Sequence, residues 1–144
     1  MNMKRILIVD DDSSVGTMLK FVIAREQLGE VVATVTDEEQ AVDEILFYHP
    51  DIVLIDLLFP HTDGIRIMKR AMSRGAGGHF IMISQAHDKN MEEMAYKEGI
   101  RFLYKGIIIK HNKTEPTYTK TSLFLCEKRR FFMARTEKGV VTTI

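Results

Sequence analysis

Short uninterrupted apolar runs recur along the first 105 residues. Ile6–Val9, Ile52–Ile55 and Phe80–Ile83 are three of them, Val31–Val35 is similar and broken only by Thr34, and Phe102–Tyr104 is a weaker fifth. Runs of this length without polar alternation predict strands buried on both faces, as in parallel sheets. The segments between them carry helical spacing. Val15, Met18, Leu19, Val22 and Ile23 fall on one helical face, with Ser13 or Ser14 as the starting cap and Gly29 as the stop. Thr36 and Glu39 form a capping-box pair ahead of Ala41, Val42, Ile45 and Leu46. Ile65, Met68 and Met72 make a third stripe, ended by the Gly75–Gly78 cluster, and Met91, Met94 and Ala95 a fourth, ended by Gly99. The methionines are assigned to core packing. The order βαβαβαβαβ predicts an α/β fold with a parallel sheet covered on both faces. Right-handed crossovers leave few topologies, and ligands are expected at the carboxyl ends of the strands.

Composition narrows the picture. The chain has 144 residues, enough for one domain with a tail and for a sizeable core. At 45% hydrophobic and 28% charged, it is neither disordered throughout nor fibrous. The single cysteine, Cys126, excludes an internal disulfide framework and suits a reducing compartment. No apolar run approaches the roughly 20 residues of a membrane span. The first twelve residues reach three aspartates, too soon for a secretory leader. The expected location is the cytoplasm. The net charge is zero but unevenly spread. Residues 105–144 hold nine Lys or Arg and three Glu, a net +6, and residues 1–104 hold eleven and seventeen acids, a net −6. Such asymmetry marks a basic segment that meets an acidic partner, which can be the body of the same chain.

The expected strand ends carry the chemistry. Strand one ends in Asp10, Asp11 and Asp12, strand three in Asp56, strand four in Ser84 and strand five in Lys105. Carboxylates gathered on one edge repel one another unless a cation sits between them. Their hard oxygens suit Mg²⁺. A lysine and a hydroxyl beside the metal suit the remaining oxygens of a phosphoryl group, and a central carboxylate can be the nucleophile that accepts it. Asp12 fits a helix start better than a ligand, and Asp63-Gly64 is a common turn pair.

Ile6-Leu7-Ile8-Val9-Asp10-Asp11, the run Asp56-Leu57-Leu58-Phe59-Pro60-His61-Thr62-Asp63-Gly64, Ser84 and Lys105 together resemble the receiver domain of bacterial two-component response regulators, the CheY-like fold. The resemblance covers residues 4–105. It implies an open, doubly wound, flavodoxin-like parallel sheet of five strands in the order 2-1-3-4-5. It further implies that Asp56 is the phosphoacceptor. Asp11 and Asp56 would ligate Mg²⁺ directly, with the Leu58 backbone carbonyl as a third ligand and Asp10 acting mainly through metal-bound water. Lys105 would pair with the phosphoryl oxygens. Ser84 would bond the phosphoryl group and shift towards it, while Phe102 fills the aromatic switch position. The implied donor is a phosphohistidine on a histidine kinase or histidine phosphotransfer protein. Phosphorylation would bias a two-state equilibrium of an interaction face. The domain would be a phosphoacceptor that assists its own phosphotransfer, not an enzyme in its own right. Asp56–Pro60 with Phe80–Gln85 also resembles receivers of glutamine-utilisation transcription regulators.

The pattern departs from the family in places. Phe59 stands for the usual Met. Gln85 replaces a small residue, and apolar Leu58 and Ala86 occupy positions that often tune dephosphorylation. Gly106 follows Lys105 where the family has a proline, typically after a cis bond. A cis bond before glycine costs about 2.5–4 kcal/mol, so a trans bond or a remodelled loop is expected. Residues 1–105 are therefore taken as the receiver core and 106–144 as an atypical basic segment: a displaced helix, a swapped element, a strand pair or a partly disordered stretch. Ile107–Ile109 and Val140–Thr143 are strand-like, and Ser122–Lys138 carries a poor helical pattern. Loss of the usual fifth helix would expose an apolar sheet face and favour a homodimer through strand five and the C-terminal region. Lys128-Arg129-Arg130-Phe131-Phe132 is a basic-aromatic patch, but no helix-turn-helix or zinc spacing supports a nucleic-acid module. Two rival functions follow. One is a degenerate receiver acting only as an interaction module. The other is a phosphatase of the haloacid-dehalogenase type, which shares Asp10-x-Asp12 but needs an acidic pair after its lysine. Only the isolated Glu115, Glu127 and Glu137 are available there.

Overall fold

Isoleucine, valine and leucine fill the strand positions, and their branched side chains suit a pleated surface packed on both sides. The computed structural model describes residues 3–84, 90, 93–94, 97–98, 100–104, 123–124, 133–136 and 139–143. The elements are β1 (Arg5–Val9), α1 (Ser13–Arg25), β2 (Glu30–Val35), α2 (Ala41–Tyr48), β3 (Ile52–Asp56), α3 (Gly64–Ser73), β4 (His79–Ser84), β5 (Arg101–Tyr104), β6 (Leu123–Phe124), β7 (Met133–Thr136) and β8 (Gly139–Thr143). The first five strands form one parallel sheet in the order β2-β1-β3-β4-β5. This is the flavodoxin-like order expected. Asn90, Glu93, Met94 and Lys97 are helical, where the fourth helix was predicted.

Side chains alternate across the sheet, as strand geometry dictates. Ile6, Ile8, Ile52, Leu54, Ile81 and Ile83 pack on the side of α1 with Val15, Leu19, Val22 and Ile23. Leu7, Val9, Val53, Ile55, Phe80 and Met82 pack on the other side with Val42 and Ile45 of α2 and Ile67, Met68 and Ala71 of α3. The central strands are buried on both faces, so their sequences read as continuous apolar runs. β2 departs from that expectation. It is an edge strand, and only Val35 is buried. The apolar sheet face expected to lie open is buried at Ile81 and Ile83, which are 1% and 0% exposed.

Local chemistry corrects several helix boundaries. The cap of α1 is Asp12, not Ser13 or Ser14, and its carboxylate accepts the Ser14 backbone N–H at 2.9 Å. The helix stops at Arg25, and Gln27, at φ 54°, takes the left-handed position ahead of Gly29. Gly29 has another reason to be glycine: a Cβ there would lie 2.5 Å from the Lys4 carbonyl oxygen. The Thr36–Glu39 capping box does not form. Asp37 Oδ1 instead accepts the Glu39 N–H at 2.8 Å, an Asx turn that delays α2 to Ala41. Met68 lies in the core as expected, but Met72 and Met94 are each 54% exposed. Met91, Ala95 and Gly99 lie outside the described residues. Within the poor helical pattern over 122–138, the described residues 123–124 and 133–136 are strand. β6, β7 and β8 form an antiparallel sheet in that order, with Val140–Thr143 in β8 as its β-branched content predicts. Ile107–Ile109 and Cys126 lie outside the described residues.

Candidate functional site at the carboxyl edge of the sheet

Parallel strands place all their carboxyl ends on one edge, and β1 and β3 are hydrogen-bonded neighbours there. The end of β1 is fixed by the Asp10 N–H, which donates to the Val35 carbonyl at 3.0 Å. Asp10 is 2% exposed, and its Oδ1 accepts the Asp12 N–H at 2.9 Å, which orients the carboxylate. Asp12 itself is occupied as the cap of α1, which agrees with its reading as a helix-start residue. Asp11 is exposed.

Asp56 closes β3 and is 7% exposed. Leu57 N–H donates to the Ile83 carbonyl at 2.9 Å, which ties the start of the next loop to β4. That loop turns back tightly. Phe59 N–H donates to the Thr62 carbonyl at 3.1 Å and Gly64 N–H to the Leu57 carbonyl at 2.8 Å. Asp63 then caps α3 by accepting the Arg66 N–H at 2.8 Å. Asp63-Gly64 is therefore a helix start as well as a turn. Gly64 was missed as a site residue by the sequence reading. A Cβ on it would lie 2.2 Å from the Asp56 carbonyl oxygen and 2.9 Å from Met82 Sδ. Only glycine lets α3 begin against the end of β3, and the Asp-Gly pair was the signal available for it.

The fold brings the predicted carboxylates together. Asp10, Asp11 and Asp56 each offer a ligand oxygen, and these oxygens lie within 4.8 Å of one another. Two of the three carboxylates are buried, so their mutual repulsion is poorly screened and favours a bound cation. The donor set is hard oxygen only, which fits Mg²⁺ and not a soft or imidazole-preferring metal. Ser84 ends β4, is 5% exposed, and pairs in register with Tyr104 of β5. Leu58, two residues past Asp56, exposes its side chain at the rim; its N–H lies 3.5 Å from Asp56 Oδ1. Phe102 pairs with Met82 and packs, partly buried, against the core on the side of α2 and α3. Lys105, Gln85, Ala86 and Gly106 lie outside the described residues, and Lys105 follows directly on Tyr104.

A five-stranded parallel sheet in this order with an acidic triad at its carboxyl edge defines the receiver class. The family model of the response regulator receiver domain matches residues 6–115, and the chain belongs to that family. It is 40% identical over 105 residues to the transcriptional regulatory protein GlnL of Bacillus subtilis, covering 72% of this chain and 33% of that one. It is 33% identical over 97 residues to the chemotaxis protein CheY of the same organism, covering 67% of this chain and 80% of that one. Among solved structures, the receiver domain of the response regulator NarL from Mycobacterium tuberculosis superposes with a TM-score of 0.67 at 21% identity, covering 78% of this chain and 94% of that one. The chain thus spans about a third of GlnL. Among the described residues no helix is long and apolar enough to cross a membrane.

Proposed function

We propose that this chain is a phosphorylation-dependent signalling switch in which Asp56 accepts a phosphoryl group from a phosphohistidine of a histidine kinase or histidine phosphotransfer protein. A carboxylate oxygen of Asp56 attacks phosphorus, the P–N bond breaks, and the imidazole leaves. The observation that carries this reading is the meeting of Asp10, Asp11 and Asp56 within 4.8 Å at the end of β1 and β3. Asp11, Asp56 and the Leu58 carbonyl would hold Mg²⁺ directly, with Asp10 acting through its bound water. The metal supplies positive charge against the phosphoryl oxygens. Ser84, buried at the end of β4, is assigned to donate to the same group once it is attached. Lys105 is assigned to the remaining oxygens because it follows the strand that pairs with Ser84. Phe102, partly buried against the core, is assigned to the switch that follows Ser84.

The role is signalling, with residues 1–105 as the receiver core and 106–144 as a separate basic segment. The cytoplasm is the expected location, and a histidine kinase or histidine phosphotransfer protein the expected partner. A homodimer through β5 and the chain after it belongs to the same reading, supported by the position of β5 at one edge of the sheet. The test is intact-mass spectrometry after incubation with Mg²⁺ and acetyl phosphate, with Asp56→Ala alongside. One phosphoryl adduct on the wild type and none on the variant is the expected result. No adduct across several donors overturns it and leaves the interaction module, whose support is the atypical C-terminal segment with its antiparallel sheet β6-β7-β8.

A further inference from the structure

The outer face of α2 and α3 is divided by charge. The two helices pack in one core layer, and as consecutive crossovers between parallel strands they run the same way. α2 carries Asp43 and Glu44 and no base, whereas α3 carries Arg66, Lys69 and Arg70 and no acid. The buried positions fix which side of each helix points outward. Ala41, Val42 and Ile45 face inward from α2, so Asp43 and Phe47, one turn apart, form its outer ridge. Gly64, Ile67, Met68 and Ala71 face inward from α3, so Arg66, Lys69, Arg70 and Ser73 form a second ridge, all of them exposed. An acidic ridge thus lies beside a basic one. Phe47 stands in the acidic ridge at 74% exposure, the highest of any large hydrophobic residue among the described residues.

One contact within the chain sets the level of the ridges. Arg74, just past the end of α3, donates from Nη1 to Asp43 Oδ1 at 2.7 Å. Arg74 follows Arg70 by one turn, and long helical side chains lean back towards the helix start. Asp43 therefore lies within about one turn of Arg70 along the helix axes. Its carboxylate remains 72% exposed and can accept further bonds. The Arg70 guanidinium is exposed and has no ion-pair partner among the described residues.

We propose that this face binds a second copy of the chain about a two-fold axis that runs along the groove between α2 and α3. Such an axis lays α2 of each copy on α3 of the other and keeps every residue at its own level. Asp43 then meets Arg70 of the second copy, and the same pair forms again on the far side of the axis. Phe47 packs on the aliphatic stems of the arginines opposite. A two-fold axis across the helices would set α2 on α2 and α3 on α3, like charge on like, so the charges choose the axis as well as the partner. Helices of 8 and 10 residues are about 12 and 15 Å long and lie about 10 Å apart, so the face is small against the roughly 800 Å² per partner of a stable complex. The dimer is therefore weak and reversible. β5 takes no part in it, and it does not depend on phosphate acceptance at Asp56.

Sedimentation equilibrium of the full chain tests this, at chain concentrations up to about 1 mM so that a weak dimer is populated. The wild type is expected to associate reversibly at low salt and at least tenfold more weakly in 1 M NaCl. Asp43→Lys and Arg70→Glu change exposed residues and should each weaken association at least tenfold. An equimolar mixture of the two variants is expected to regain the wild-type strength. In the mixed dimer both Asp43–Arg70 positions again hold opposite charges, whereas in either variant alone both hold like charges. Misfolding cannot imitate that recovery. The proposal is overturned if the wild type stays monomeric throughout. It is equally overturned if either variant alone associates as the wild type does, which would place the contact on another face, or if the mixture associates no better than the variants alone.

Discussion

Asp11→Asn removes one charge from three carboxylates whose ligand oxygens lie within 4.8 Å of one another. Two unit charges at that distance repel by about 0.9 kcal/mol in water-like surroundings and by about 3.5 kcal/mol at an effective dielectric of 20. Asp11 takes part in two of the three pairs and is exposed, so the water-like value governs it. The relief is then about 2 kcal/mol before screening, and a Debye length of about 8 Å at physiological salt leaves most of it. In EDTA the variant is expected to be more stable than wild type by about 1–2 kcal/mol, which raises the thermal midpoint by about 2–8 °C. Mg²⁺ reverses the order. At a hundredfold excess over its dissociation constant, a ligand that binds only the folded state stabilises it by about 2.7 kcal/mol. The variant has lost one carboxylate and gains far less at the same Mg²⁺ concentration. The assay is thermal unfolding by circular dichroism in EDTA and across a Mg²⁺ titration. At 1 M NaCl the Debye length falls to about 3 Å, and the difference in EDTA should largely disappear. A variant no more stable than wild type in EDTA would refute the reasoning, as would one that responds equally to Mg²⁺.

Gly64→Ala forces a Cβ to within 2.2 Å of the Asp56 carbonyl, so an overpacking cost of about 1–3 kcal/mol is expected, with slower phosphoryl acceptance; denaturant unfolding and the rate of adduct formation check both. Asp12→Ala removes the cap of α1 and should cost about 1 kcal/mol while Mg²⁺ binding persists; loss of Mg²⁺ binding would make Asp12 a ligand instead. Leu54→Ala empties a fully buried position between β3 and α1 and should cost about 2–5 kcal/mol, read from the urea midpoint at unchanged slope.

The strands were legible because the central runs of the sheet are buried on both faces, and burial on two faces leaves only apolar residues in the sequence; their order came from the resemblance to receiver domains. The acidic site was legible for a related reason. Parallel strands put their carboxyl ends on one edge, so Asp10, Asp11 and Asp56 could be placed together before any geometry was known. Helix caps were less legible because neighbouring short polar side chains compete for the same N–H groups. Asp12 outcompetes Ser13 and Ser14 at α1, and Asp37 takes the Glu39 N–H that a capping box from Thr36 would need.

Exposure was harder still to read. Met72 continues the stripe of Ile65 and Met68, yet Met68 is buried and Met72 is not. Ala71, in the same last turn, is fully buried, so the buried face of α3 runs through Gly64, Ile67, Met68 and Ala71 and leaves Met72 off its centre. A stripe read from a few apolar residues does not fix where the centre of the buried face lies. The same limit applies at Val31–Val35, whose apolar run matches the central strands although β2 lies at the edge. Edge position depends on strand order, and strand order is fixed by crossovers between distant segments and not by the residues of the strand itself.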